Sequence, residues 1–410
     1  MLFLEPFLRR FVRYGLLTVI DSAGQPHRFC GETLPGITPS TIRLRDSRLA
    51  WSIPLSPSIS VGEAYMDGRL IIEEGTLYNF LALATANARR FGDFLSPSDL
   101  LDRLARRFQQ WNPVKASRRN VAHHYDLSDS LYDLFLDRDR LYSCAYFATP
   151  EVGLDEAQTA KKRHIINKLQ ISSGQRILDI GCGWGGLALS LAREANVRVT
   201  GITLSEHQLA IARQRAATAG LADRVNFELL DYRQIHDSFD RIVSVGMFEH
   251  VGIDQYSTFF HKVHDLLTDD GIALLHAIGR SGRPTSTDPW IRKYIFPGGY
   301  CPSLSEVFPA VEKSGLSATD LEILRPCHYA DTLRHWRNRF CARWDKAAAL
   351  YDERFCRLWE FYLAGAEAAF RHRDLMVFQM QMTKDPSAVP RTRNYMLDPD
   401  NRMEFAYVAE

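Results

Sequence analysis

The stretch Asp179-Ile-Gly181-Cys-Gly183-Trp-Gly185-Gly186 follows a short apolar run and precedes a helical pattern. Glycines at such a strand-to-helix junction let the backbone turn sharply and approach a ligand closely. The same spacing also serves as a plain structural turn. An Asp two residues before the first glycine points to S-adenosylmethionine (SAM) rather than a dinucleotide, because no pyrophosphate has to be cradled. The next strand ends in Gly201-Ile-Thr203-Leu204-Ser205. A nicotinamide site would carry an acidic residue at that tip, whereas here Thr203 and nearby Gln208 are the groups available to ribose hydroxyls. Asp231-Tyr232-Arg233 follows the third strand, offering an acceptor for an adenine amino group and a ring to stack on it.

A second set of reactive side chains comes later and elsewhere. Glu249 sits just past a strand end, and His276 is expected at the end of the following strand. Tyr329 and Cys144 come from flanking segments. One carboxylate, one imidazole, one phenol and one thiol do not form a hydrolytic triad. Each has a bland alternative. Glu249 can cap a helix, His276 can be a satisfied core histidine, and a buried cysteine is usually inert. His250 can orient Glu249 or touch the cofactor. His123 and His124 lack surrounding Cys or Asp ligands, so no metal site is expected. Tyr125, Tyr142, Phe147, Trp184, Tyr232, Tyr294, Phe296 and Trp336 offer faces to a cation, although most aromatic rings simply fill cores.

The elements that position these residues alternate from about residue 155. Strand patterns cover 176–181, 197–203, 225–230, 240–246, 271–277, 317–324 and 376–382, with helical patterns between most of them. That order predicts a doubly wound, Rossmann-like α/β domain over 155–384, with ligands at the strand C-termini. Residues 280–305 and 333–373 read as insertions, the first loop-like and the second helical and aromatic. Residues 1–112 read as a smaller α+β domain. In it, Asp21-Ser22-Ala23-Gly24 turns a hairpin, TIRLRD and LAWSIPL continue as strands, and 96–112 is helical. Residues 113–154 are expected to be a linker and lid, and 385–410 a tail. Leu4, Phe7, Leu8 and Phe11 share one face of a short N-terminal helix, which is more often docked on its own domain than laid on lipid.

Composition narrows the classes. The chain has 410 residues, 46% of them hydrophobic, with 50 basic against 49 acidic side chains and a net charge of +1. There is material for a sizeable core, and no global basic excess of the kind that binds nucleic acid. Seven cysteines include no C-x-x-C pair, which fits a reducing, cytoplasmic setting. No apolar run is long enough to cross a bilayer, and arginines follow rather than precede the apolar N-terminus, unlike a signal peptide.

Taken together, Tyr142-Ser-Cys-Ala-Tyr-Phe147, the 181–186 loop, Thr203-Leu-Ser, Val245-Gly-Met-Phe-Glu-His250, Leu275-His-Ala-Ile278, Lys293-Tyr-Ile-Phe-Pro-Gly-Gly299 and His328-Tyr329 resemble the cyclopropane-fatty-acyl-phospholipid synthases and mycolic acid cyclopropane synthases. Gly62-Glu-Ala-Tyr-Met-Asp-Gly68 is similar to the domain that precedes the catalytic one in the longer bacterial members. The resemblance implies a class I SAM-dependent methyltransferase fold and methylene transfer from SAM to a cis double bond of an acyl chain. By residue-wise matching, Tyr142, Ser143, Gly181, Gly183, Thr203, Leu204, Gln208, Asp231 and Tyr232 bind SAM. Glu249, His276 and Tyr329, with backbone amides at Cys144 and Ile278, would hold a bicarbonate ion that acts as base. Ala145 stands where the family commonly has glycine, which narrows the pocket by a methyl group.

The implied partners are an unsaturated phospholipid membrane, met peripherally at its inner face, and a second copy of the chain in a homodimer. Lys115, Arg118 and Arg119 are available to anionic headgroups. The N-terminal domain is expected to bind lipid, pair copies, or both. Two other readings stay open: a related methyltransferase making methyl-branched or methylene lipids or methylating a small amine, and a SAM- or lipid-binding module without turnover.

Overall fold

The computed structural model describes residues 1–92 and 127–396. The expected helix at 96–112, the residues Lys115, Arg118, Arg119, His123, His124 and Tyr125, and the end of the expected tail lie outside the described residues. The larger unit is built on β5 (Arg176–Ile180), β6 (Arg198–Thr203), β7 (Val225–Leu229), β8 (Phe239–Val245), β9 (Leu267–Arg280), β10 (Ser317–Leu324) and β11 (Leu375–Thr383). They form one seven-stranded sheet in the order β10-β11-β9-β8-β5-β6-β7. The five strands from β9 to β7 run parallel, while β11 is antiparallel to both β9 and β10. The order reverses between β5 and β8, which opens a crevice at their C-terminal ends. Buried apolar runs such as Ile177-Leu178 and Ile242-Val243 show why: a parallel strand covered on both faces has no polar side to present. The fold is thus the expected doubly wound, Rossmann-like α/β sheet.

Residues 1–74 contain a second, four-stranded sheet of order β2-β1-β3-β4, from β1 (Leu16–Ile20), β2 (Pro26–Cys30), β3 (Ser40–Leu44) and β4 (Leu70–Glu74). The expected hairpin is present, with Asp21 Oδ1 accepting from the Ala23 and Gln25 amides at 3.0 and 2.9 Å. LAWSIPL is not a strand; it is the helix α2 (Leu49–Leu55), after α1 (Leu4–Phe11). Leu49 and Ile53, four apart, are its buried pair, so the helical stripe overrides the apparent alternation. Leu4 and Leu8 of α1 are buried as well, and that helix docks on its own unit.

Two further helices, α3 (Pro57–Met66) and α4 (Leu77–Gly92), carry the smaller unit onto the larger. The polar residues of the 62–68 motif are spent there. Glu63 Oε1 accepts from Lys293 Nζ and from the Tyr294 hydroxyl, each at 2.7 Å. The Tyr65 hydroxyl donates to Glu360 at 2.6 Å, and Arg354 donates to Asp67 at 2.9 Å. A Cβ on Gly62 would lie 2.3 Å from Nε1 of Trp290, so only glycine admits that ring.

The remaining helices in chain order are α5 (Asp129–Tyr132), α6 (Leu154–Leu169), α7 (Gly186–Glu194), α8 (Glu206–Thr218), α9 (Tyr256–Leu266), α10 (Pro289–Tyr294), α11 (Leu304–Ser314), α12 (Pro326–Cys341), α13 (Trp344–Leu350) and α14 (Glu353–His372). Both insertions serve the contact between units: α10 packs on α3, and α14 packs on α3 and α4. The start of the expected tail is docked. Arg393 pairs with Asp320 at 2.8 Å, and the Tyr395 hydroxyl donates to Gln381 at 3.0 Å.

Candidate active site

The glycine loop leaves β5 and enters α7. Gly181, Gly183 and Gly185 all have positive φ, at 83, 54 and 79°. The Gly181 and Cys182 amides donate to the Ile202 carbonyl on β6 at 3.0 and 2.9 Å, which ties the turn to the neighbouring strand tip. Gly185 also allows close packing, since a Cβ there would meet Phe227 Cζ at 2.6 Å.

This loop forms the floor of a cleft of about 1200 Å³, counted out to its open mouth. All nine residues assigned to SAM line it: Tyr142, Ser143, Gly181, Gly183, Thr203, Leu204, Gln208, Asp231 and Tyr232. Their roles differ in detail from the sequence reading. Thr203 Oγ1 donates to Gln208 Oε1 at 3.0 Å, so the threonine orients the glutamine and leaves the amide NH₂ of Gln208 for a ligand. Asp231 is already bridged by Arg233, at 2.8 Å from Nε and 2.7 Å from Nη2. An adenine amino group would use its remaining lone pairs. Of the aromatic candidates, Tyr142, Trp184 and Tyr232 reach the wall, while Trp336 is fully buried behind Tyr142, stacked at 5.0 Å.

Three wall residues carry charge logic that the motif reading did not assign. Asp179 is buried, its Oδ2 has no hydrogen-bond partner among the described residues, and burial pushes its carboxyl up to about 7. Such an orphaned acceptor is costly unless a cationic or donor group arrives. Lys161, from α6, donates from Nζ to Ser143 Oγ at 2.7 Å, and burial lowers its ammonium to about 8. His250 is held neutral by burial, down to about 4. Positive-φ glycines, a nucleoside-sized cleft, an orphaned acid and a buried cation together fit SAM, whose methionyl arm bears both an ammonium and a carboxylate.

The five residues assigned to the base lie beyond that wall. Glu249, in a short 3₁₀ turn after β8, is buried. Its Oε1 accepts from the Ile278 amide at 2.6 Å, while its Oε2 has no partner among the described residues. Burial, only partly offset by that amide, raises the carboxyl to about 7. Engaged this way, the Ile278 amide orients Glu249 first, and a bound anion has to share it. His276 is not at the end of its strand; β9 runs on to Arg280, and His276 faces Val245 on β8 and Gln379 on β11. With the Gln379 amide donating at 3.1 Å to Nδ1, the ring proton sits on Nε2 as a donor. Burial and the Lys161 charge hold this imidazole neutral.

Tyr329 and Cys144 come together from the other side. Thr332, one turn beyond Tyr329 on α12, accepts from the Ala145 amide at 3.0 Å, and His328 Nδ1 accepts from the Phe147 amide at 3.1 Å. The Cys144 thiol donates to the Ala145 carbonyl at 3.2 Å, and burial pushes it far up, so it is no thiolate nucleophile. The Lys161 charge acts on both Cys144 and His276. Tyr362 on α14, absent from the sequence candidates, pairs its hydroxyl with that of Tyr142 at 2.9 Å. Nothing local in the α14 sequence singles it out among neighbouring aromatics.

Residues 113–380 match the family model described as mycolic acid cyclopropane synthetase. The chain is 37% identical over 352 residues to a probable fatty acid methyltransferase of Pseudomonas putida, covering 84% of this chain and 87% of that protein. It is 36% identical over 359 residues to the cyclopropane-fatty-acyl-phospholipid synthase of Escherichia coli K12, covering 86% and 90%. The crystal structure of mycolic acid cyclopropane synthase CmaA1 complexed with SAH and CTAB superposes with a TM-score of 0.62 at 35% identity, over 66% of this chain and 98% of that one. With the SAM-shaped cleft already in place, the chain belongs to the mycolic acid cyclopropane synthetase family of SAM-dependent methyltransferases.

Proposed function

We propose that the protein transfers a methylene group from SAM to the cis double bond of unsaturated acyl chains in membrane phospholipids, closing a cyclopropane ring, with bicarbonate held as the base. SAM supplies an electrophilic methyl group on sulfur. The alkene attacks that carbon as the sulfur–methyl bond breaks and S-adenosylhomocysteine leaves, and a carbocation remains on the acyl chain. One proton must then leave the transferred carbon so that its electron pair can close the ring. Bicarbonate, when bound, accepts that proton.

The carrying observation is the buried Glu249 carboxyl, held at one oxygen by the Ile278 amide. An anion beside a carboxylate is tolerated only if that carboxyl keeps its proton. Burial gives Glu249 this property near neutral pH, and its Oε2 is still unspent. His276, neutral with its proton on Nε2, is a second donor. Both suit an anion better than a cationic amine substrate. The Tyr142–Tyr362 hydroxyl pair and the stacked Trp336 add a rigid aromatic wall near a developing cation.

Membrane contact is assigned to the smaller unit. Trp51 and Leu55, one turn apart on α2, are exposed, as are Leu2 and Phe3 before α1. Arg10, Arg13 and Arg48 of the same unit are exposed too. Exposed apolar side chains and arginines on one unit suit an anionic bilayer surface. Among the described residues no helix is long and apolar enough to cross a membrane. The same unit is proposed to pair two copies.

The test is turnover on unsaturated phospholipid vesicles in carbonate-free buffer. The expected result is low activity that rises saturably with added bicarbonate. Activity indifferent to bicarbonate would remove the anion from the mechanism and favour a fatty acid methyltransferase that uses another base.

A further inference from the structure

Helix α6 sets two buried polar side chains against the 141–145 segment. Gln158 Nε2 donates to the carbonyls of Leu141 and Ser143, each at 3.1 Å, and fixes the backbone. One turn on, Lys161 Nζ donates to Ser143 Oγ at 2.7 Å. Lys161 is 2% exposed, yet both it and Ser143 line the SAM cleft.

A lysine ammonium has three donors and no acceptor. Ser143 is its one hydrogen-bond partner among the described residues. Asp137 and Asp139 offset its charge only at longer range. Burying a cation against a single neutral hydroxyl is expensive unless an anion joins it. The serine is constrained in turn. Having accepted from Lys161, it must direct its own proton elsewhere, and no described residue accepts it. A polarised hydroxyl donor backed by a fixed positive charge therefore faces the cleft. The same cleft holds Asp179, whose buried Oδ2 lacks a partner among the described residues.

We propose that Lys161, acting through the Ser143 hydroxyl, selects the α-carboxylate of the cofactor's methionyl arm. Lys161 is thus a positioning residue that makes the cleft specific for a carboxylate-bearing arm rather than for a bare nucleoside. The inference rests on the SAM assignment.

Calorimetric titration of the full chain with two ligands tests it. S-adenosylhomocysteine (SAH) carries the amino-acid arm, and methylthioadenosine carries the same nucleoside and thioether without it. Lys161→Met and Lys161→Gln should each weaken SAH about 10- to 100-fold, the range of a lost hydrogen bond to a charged group, and leave methylthioadenosine within about twofold. Ser143→Ala should weaken SAH selectively too. Adding it to Lys161→Met should cost little more, because one pathway has already been cut. An equal loss for both ligands would make Lys161 only a prop for the 141–145 segment, and unchanged SAH affinity would place the carboxylate elsewhere. Either overturns the proposal. Failure of the unsubstituted protein to bind SAH would instead remove the SAM assignment itself.

Discussion

The Ile278 amide on β9 donates to Glu249 Oε1 at 2.6 Å, so a strand backbone fixes a carboxylate delivered by the turn after β8. The parallel register that sets Val245, the last residue of β8, beside His276 brings the 276–278 stretch of β9 alongside the turn that carries Glu249. One carboxylate oxygen accepts from the strand backbone, and the other has no hydrogen-bond partner among the described residues.

Glu249→Gln keeps the shape and an acceptor for Ile278 but can no longer exchange a proton. Turnover should fall about 100-fold or more, within the range of a lost acid–base group, while SAH affinity changes less than about twofold. Kinetics and calorimetry on the same preparation check this. Unchanged turnover would put Glu249 outside the base site.

Asp179 links the cofactor cleft to stability. Its carboxyl rises from 3.8 to about 7 on folding through burial. Between those values the folded state holds a proton that the unfolded state has lost, so stability is full below about 4 and declines as pH rises toward 7. Asp179→Asn does not titrate. Without ligand, it should gain on the parent by on the order of 3–4 kcal/mol between pH 4 and 8. Urea unfolding at several pH values measures the gap, and a gap independent of pH would contradict it.

Tyr329→Phe should lose most activity and recover part of it with added bicarbonate, since mass action compensates a weakened anion site. The ring packs on Phe370 at 4.7 Å and edge-on to Trp336, so its removal is not needed to probe the hydroxyl. Loss that bicarbonate never rescues would assign Tyr329 to another step.

Trp51→Glu combined with Leu55→Glu places charge on exposed positions of α2, 50% and 76% accessible. Cosedimentation with anionic vesicles should fall several-fold, with SAH affinity and melting temperature unchanged. Undiminished vesicle binding would move the membrane contact to another surface.

Much of the fold was legible because parallel strands buried on both faces write continuous apolar runs, as in Ile177-Leu178 and Ile242-Val243. The residues lining the cleft were legible for a related reason: a glycine loop and strand tips lie close in sequence. LAWSIPL misled because Leu49 and Ile53 are spaced for a helix within a segment too short to show periodicity. Lys161 was hidden in a lysine-rich helical stretch that reads as solvated, and only the placement of α6 buries it. The spending of the Ile278 amide on Glu249 was equally invisible, since it depends on the register of β8 against β9.

The central claim is tested most directly with SAM whose transferred methyl carries three deuteriums. Unsaturated phosphatidylethanolamine vesicles are incubated with it, and the acyl chains are then fragmented in a mass spectrometer. Ring closure with loss of one deuteron leaves two on a new carbon at the former double bond, with no alkene. A chain that keeps all three deuteriums, or an alkene beside the new carbon, would contradict cyclopropane formation and establish a methyl-branching or methylene-forming enzyme instead.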